Sequence, residues 1–338
     1  MGLSKINKIK YQYQRLWKVI IKLITLQKIQ EAHKRISPFI NYTPLIHSKY
    51  LSNNSKVKLK LESLQITGSF KLRGATNKLL SLKEDQKQKG VIAVSTGNHG
   101  KGVAYAANIL GIKSTIFISS MVPQFRKKAI EALGAKVEIV GNNSDEADQY
   151  ARELAKKENI TLIHPFDDEE IIVGQGTVGL EMLEAFPDVD TVVVPTSGGG
   201  LSGGIALAIK LQKPEVKIIG VSMKRGPSMY ESLKLGKPVD VEELETLADC
   251  LGGSIGIDNL YTFKIAQETI DDFVLVDEDK IAEGIKLNFV EHKLVTEGAA
   301  ATTVMVVKDN MTQHLGKNII CVICGGNIDA ELFARIIS

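Results

Sequence analysis

The sequence predicts an α/β protein built on open parallel sheets with flanking helices. Three observations carry this. From about residue 55 onward, short β-branched runs alternate with longer helical stretches. Several of the short runs are nearly continuous in apolar residues, as expected of strands covered on both faces. Glycines and small polar residues gather where such a run ends and a helix begins, which is where open α/β sheets hold ligands.

Taken in order, the first helix opens at Thr25-Leu26-Gln27-Lys28, with Thr25 suited to the N-cap. Strands are expected at 57–61, 91–95, 114–118, 136–140, 191–195, 217–221, 273–276 and 319–323. Helices are expected between them, at 102–110, 123–133, 145–158 and 203–210. No internal repeat, low-complexity tract or long Pro/Gly linker interrupts the pattern. A length of 338 residues suggests about two domains. The expected division is a large domain of residues 26–89 and 166–338, with a smaller one of residues 90–165 inserted into it.

Charge and cysteine content exclude several function classes. The formal charge is +3, but residues 1–25 hold six cations (Lys5, Lys8, Lys10, Arg15, Lys18, Lys22) and no acid, which leaves −3 for the rest. A body without a basic face argues against a nucleic-acid partner. The apolar run at 16–24 is broken by lysines and is shorter than the roughly 20 residues that span a bilayer. The segment reads either as a short basic helix on the body or as an extension without a role; the second is the expectation. Three cysteines make no disulfide framework and fit a reducing, cytoplasmic setting. Cys321 and Cys324 form a C-x-x-C, but on a strand residues three apart face opposite ways.

Four segments at strand ends carry candidate chemistry. In Gly68-Ser69-Phe70-Lys71-Leu72-Arg73-Gly74-Ala75, Lys71 is a candidate nucleophilic amine able to form a Schiff base with an aldehyde cofactor. A lone lysine near a helix start is more often a surface residue. In Ser95-Thr96-Gly97-Asn98-His99-Gly100, hydroxyls and free N–H groups at a helix start suit a carboxylate. Asn98 can also donate to a phenolate-like oxygen; the alternative is an ordinary capping cluster. The run from Thr196 to Gly204 has five glycines in nine residues, a phosphate cradle by the nest and helix-dipole arguments. It is neither a nucleotide P-loop nor a G-x-G-x-x-G fingerprint. Finally, Cys324-Gly325-Gly326-Asn327 offers a thiol that could meet a ring nitrogen, against the reading of a buried small hydrophobe.

Together, Ser-Phe-Lys-x-Arg-Gly-Ala, Ser-x-Gly-Asn-His-Gly, the glycine loop and Gly-Gly-Asn resemble the β-family, fold type II pyridoxal-phosphate enzymes. The order and spacing are similar to those of the serine/threonine dehydratases and serine racemases, from about residue 26 to the end. More narrowly, residues 220–226 and 248–259 resemble the dehydratases of ectoine and hydroxyectoine utilisation.

The resemblance implies a two-domain, tryptophan synthase β-like fold and pyridoxal 5'-phosphate as cofactor. It further implies a homodimer and a small amino acid as substrate. Lys71 would carry the cofactor and act as base on Cα, with Phe70 beside it. Asn98 would contact the ring oxygen, Gly198, Gly199, Gly200 and Leu201 the phosphate, and Cys324 the pyridine nitrogen, with Glu297 as an acid near the ring. Ser95, Thr96, Asn98 and His99 would receive the substrate carboxylate. The implied reaction is elimination of water and ammonia from a threonine- or serine-like hydroxy amino acid.

Departures bear on this reading. Thr96 stands where serine racemases place a hydroxyl base, so its methyl puts racemisation in doubt. Ser222 follows Gly220-Val221 where many relatives carry an acidic metal ligand, so no metal site is expected. Three rivals stand: racemisation, β-replacement (against which His99 speaks) and non-catalytic binding of a metabolite.

Overall fold

The apolar runs become strands in the computed structural model, which describes residues 17–20 and 22–338. Among these residues the strands are β1 Leu45–His47, β2 Lys56–Leu61, β3 Val91–Val94, β4 Ser114–Ile118, β5 Lys136–Ile139, β6 Thr161–Leu162, β7 Thr191–Pro195, β8 Lys217–Met223, β9 Asp272–Val276 and β10 Asn318–Ile323. Six lie in the order β1-β2-β10-β7-β8-β9, where β1 is antiparallel to β2 and the other pairs are parallel. The other four make a parallel sheet in the order β5-β4-β3-β6. The chain thus has the expected α/β class with open parallel sheets and flanking helices.

Position in the sheet explains the composition of each strand. β7, between two neighbours and covered by helices, buries all five residues of Thr-Val-Val-Val-Pro. β5, at an edge, buries only Val137 of its four residues. β1 and β6 were not expected, since three and two residues are too short to display a period.

The first helix, Leu26–Ile36, starts where Thr25 accepts a hydrogen bond from Lys28 N at 3.2 Å, and buries Ile29, Ala32 and Ile36 along one face. Ser37–Phe39 then forms a short 3-10 segment with Pro38 in its first turn, where the missing N–H of proline costs no hydrogen bond. Ahead of it, residues 17–20, 22 and 23 are also helical. Ile20 and Ile24 are fully buried in a cluster with Ile29, Ile172, Leu207 and Ile265. Burial of each such side chain contributes at most about 1.5–3 kcal/mol. The described part of the N-terminal segment therefore lies on the body, contrary to the expectation of an extension without a role. Lys5, Lys8, Lys10 and Arg15 lie outside the described residues.

The Lys71–Ser81 helix buries Leu72, Ala75 and Leu79 in the core of the four-stranded sheet, and two glycine contacts set its place. A Cβ on Gly174 would come within 2.7 Å of Gly74 Cα, and one on Gly102 within 3.1 Å of the Lys71 carbonyl carbon. The second contact draws the Asn98–Ile109 helix against the first residue of the Lys71 helix. All four glycine-rich motif segments follow the carboxyl ends of strands β2, β3, β7 and β10.

Candidate active site

Beyond β2 the chain passes through a 3-10 turn, Glu62–Leu64, and reverses at Gly68, whose φ of 76° favours glycine. The next residues are zipped to the segment after β10. Gly326 N donates to Gly68 O at 2.9 Å, Phe70 N donates to Cys324 O at 3.1 Å, and Ser69 bridges Gly325. Lys71 follows as the first residue of its helix, and its Nζ donates to Pro165 O at 2.7 Å. Burial lowers the pKa of this amine to about 8, against the pull of Cys250, Cys324 and Glu297.

Across the cavity, β3 ends in Ser95-Thr96-Gly97 and the Asn98–Ile109 helix begins with Gly97 as N-cap. Ser95 Oγ accepts from Gly97 N at 3.2 Å. Asn98, His99 and Gly100 are the first three helical residues, so their N–H groups lack intrahelical acceptors. His99 Nε2 lies 2.9 Å from Ile163 O, and because a carbonyl only accepts, Nε2 carries the proton. Burial, with the Lys71 cation nearby, lowers the His99 pKa to about 3 and keeps the ring neutral.

Asn98 Nδ2 donates to both carboxylate oxygens of Glu297 at 3.0 Å and lies 3.4 Å from Cys250 Sγ. Glu297 is buried, which pushes its carboxyl up to about 7 even though the Asn98 amide favours the charged form. The Cys324 thiol lies 3.8 Å from Glu297 Oε1. Burial raises its pKa well above the usual thiol range, so it stays protonated at neutral pH. Cys321 instead faces Thr303 O at 3.6 Å, so the two cysteines of the C-x-x-C meet different groups.

The glycine loop after β7 is shorter than its sequence suggests. The helix begins at Gly200, with Gly199 as its cap at φ 86°. The first-turn N–H groups of Gly200, Leu201 and Ser202 are therefore free of intrahelical partners. Gly203 and Gly204 lie inside the helix. A Cβ on Gly204 would meet Ile172 O at 2.5 Å, so that glycine serves helix packing and lies outside the cradle. Phe166 covers the other side of the loop, within 2.3 Å of where a Gly198 Cβ would stand.

The site residues expected from the sequence, from Phe70 and Lys71 to Cys324, all line one cavity of about 710 Å³. Several lining features were not anticipated. Cys250 belongs to none of the four motifs, and the Pro165 carbonyl that holds Lys71 carries no side-chain signal. Arg126 reaches Asp249 at 3.2 Å beside the cavity, linking residues remote in sequence. Asp167 accepts from the N–H groups of Leu260, Tyr261 and Thr262 at 2.6–2.9 Å and pins the 253–260 loop. Ser222 is buried, and its hydroxyl contacts Met223 Sδ at 3.3 Å.

These features define an α/β protein in which a buried amine of lowered pKa, the start of the Asn98 helix and the glycine loop around Gly199 line one cavity. Residues 36–325 match the family model described as pyridoxal-phosphate dependent enzyme. L-threonine ammonia-lyase of Thermotoga maritima is 42% identical over 318 residues, covering 94% of this chain and 79% of the relative. Threonine deaminase isoform 2 of Solanum lycopersicum superposes with a TM-score of 0.87 at 32% identity, covering 94% of this chain and 87% of that one. Maize serine racemase does so with a TM-score of 0.86 at 30% identity, covering 92% and 95%. The chain belongs to the pyridoxal-phosphate dependent enzyme family, in the fold type II group of threonine dehydratases and serine racemases. It is a pyridoxal-phosphate-dependent lyase of the dehydratase type.

The residues present fit that cofactor. An aldehyde needs an amine with a substantial neutral fraction, which burial of Lys71 provides. The phosphate needs free N–H donors, and the Gly199 cap and first helical turn supply them.

Proposed function

We propose that this protein eliminates water from a small β-hydroxy amino acid of the threonine or serine kind, that the released enamine then takes up water to give an oxo acid and ammonia, and that Lys71 carries the cofactor. The observation that supports this most is the placement of the Lys71 amine, with its pKa near 8, in one cavity with the Asn98 helix start and the glycine loop. Pyridoxal phosphate, when bound, supplies an electron sink that makes the Cα proton of an attached amino acid acidic. Gly198, Gly199, Gly200 and Leu201 hold its phosphate and Phe70 flanks it. Asn98 donates to its ring oxygen, and Glu297 stands nearby as a buried acid. The neutral Cys324 thiol would stand toward the ring nitrogen and, as a weak donor, would leave it without a proton, which would favour elimination over reactions that need a stronger electron sink. Ser95, Thr96, Asn98 and His99 receive the substrate carboxylate. Lys71 would also serve as the general base toward the substrate Cα proton. Residues 90–165 form a smaller domain that closes over the substrate and excludes water. The protein works as a cytoplasmic homodimer, and its substrate belongs to ectoine or hydroxyectoine utilisation.

Oxo-acid release by the purified, cofactor-loaded protein tests this against L-threonine, L-serine, threo-3-hydroxyaspartate and ectoine-derived diamino acids. Turnover of threonine or serine alone supports a general dehydratase and removes the ectoine assignment. Turnover confined to another of these compounds supports that assignment. No oxo acid from any of them sinks the elimination mechanism.

The cradle has its own test. In Gly199→Ala, a Cβ would have to fit at φ 86° and 2.9 Å from both Met229 Cε and Thr262 Cβ. Left-handed backbone costs an ordinary residue about 1–2 kcal/mol. The expected result is a lower thermal midpoint together with weakened cofactor binding, followed by titrating the apo-protein with pyridoxal phosphate. Unchanged binding would take the phosphate away from this loop.

A further inference from the structure

We propose that Asn327 and Lys101 are positioning residues that decide which end of the Asn98 amide faces the cavity. An asparagine amide has a donor end and an acceptor end of nearly the same shape, so its neighbours must choose between them. Asn327 Nδ2 donates to Asn98 Oδ1 at 2.6 Å, which leaves Asn98 Nδ2 as the group on the cavity side. The orientation of Asn327 is in turn fixed from both sides. Lys101 Nζ, which only donates, lies 2.9 Å from Asn327 Oδ1. The Thr67 carbonyl, which only accepts, lies 2.9 Å from Asn327 Nδ2. Gly68 leaves the amide just enough room, since a Cβ there would fall 2.7 Å from Asn327 Oδ1. Lys101 sits three residues after Asn98 on the same helix, so one helical turn carries both the amide and the cation that indirectly orients it. The chain of fixed donors and acceptors thus runs from Lys101 through Asn327 to Asn98, and it meets the turn that delivers Lys71.

This role rests on the reading that Asn98 donates to the ring oxygen of the cofactor. Asn327→Asp tests it, because the substitution is nearly isosteric but exchanges the donor for an acceptor. An acceptor at 327 then competes with Glu297 for the Asn98 NH2, drawing it toward residue 327 and turning the carbonyl oxygen to the cavity side. The expected results are a shifted or weakened visible band of the bound cofactor, a rise in its Kd of roughly 10-fold or more, and a kcat lower by about 10² with KM little changed, as for loss of one oriented donor. Asn327→Ala removes the bias without reversing it and should do less harm. Lys101→Met should fall between these and the parent protein, and Lys101→Arg, still a donor only, should restore the band. A role in packing alone predicts the reverse order, with the truncation worse than the isostere. Should the parent protein bind the cofactor and turn over while Asn327→Asp matches it in band and Kd, the role is overturned and the proposed function stands. A parent protein that binds no cofactor overturns both.

Discussion

Lys71→Ala is expected to lose at least about 10³-fold in kcat and to lose the covalently held cofactor. In the proposed function one amine would supply both the nucleophile and the general base, and a positioned base alone contributes about 10²–10⁴-fold. The geometry shows why this lysine suits both tasks. With a pKa lowered to about 8, about a tenth of the amine is neutral at pH 7, against roughly one part in three thousand at the ordinary value of 10.5. Borohydride reduction followed by peptide mass spectrometry should place one cofactor on the Lys71 peptide of the parent protein and none on the variant, with oxo-acid release lost in parallel. Stability should move the other way. An amine whose pKa is lower in the folded than in the unfolded chain opposes folding fully below pH 8, and the penalty fades as pH rises toward 10.5. Apo Lys71→Ala is therefore expected to melt higher than the apo parent protein at neutral pH, with the gain shrinking above pH 8. A variant that keeps a reducible cofactor would move the anchor to another residue.

Much of this was legible in the chain because the physics is local. β7 and β10 read as strands because burial on both faces demands uninterrupted Val and Ile. Lys71, Asn98 and the 198–201 loop read as site residues because free helix N–H groups and glycines mark strand ends. What could not be read depends on distant neighbours. Asn327 shows no role within its Gly-Gly-Asn motif, since its partners Asn98 and Lys101 lie 229 and 226 residues away. Gly203 and Gly204 looked like part of the cradle, because sequence does not distinguish a glycine that meets a ligand from one that lets helices touch. Residues 16–24 gave a mixed pattern of lysines and apolar residues, and only packing against Ile172 of the Glu169–Ala185 helix, Leu207 of the Gly200–Lys210 helix and Ile265 explains the burial of Ile20 and Ile24.

The second large effect is expected two residues from Lys71, in a buried cluster outside the residues that line the cavity. Arg73 is fully buried and binds two carboxylates through paired contacts: Glu62 at 2.8 and 2.8 Å, and Glu181 at 2.6 and 2.8 Å. Lys60 joins Glu181, and its Nζ also donates to Thr43 O at 2.8 Å. Thr43 Oγ1 donates to Glu62 at 2.5 Å. Burial works to raise the Glu62 pKa, but the Arg73 guanidinium outweighs it and holds the carboxyl below its ordinary range. Glu62 follows β2, Arg73 stands in the first turn of the Lys71 helix, and Glu181 lies on the Glu169–Ala185 helix, so the cluster ties three elements together. In Arg73→Met, two buried carboxylates are left with Lys60 alone. Breaking a buried ion network in this way costs about 3–5 kcal/mol, or roughly 5 °C in Tm for a chain of this length. Arg73→Lys keeps the charge but loses the paired geometry, and should fall between the two. The cluster also predicts how stability responds to acid. Because the Glu62 pKa is depressed, the stability it contributes is present above the ordinary carboxylate pKa and is lost as pH falls through the lowered value. Melting curves of the apo-proteins across that range should therefore converge at low pH, and a gap between Arg73→Met and parent protein that stays constant down to full protonation would mean that lost packing, and not lost charge pairing, sets the cost.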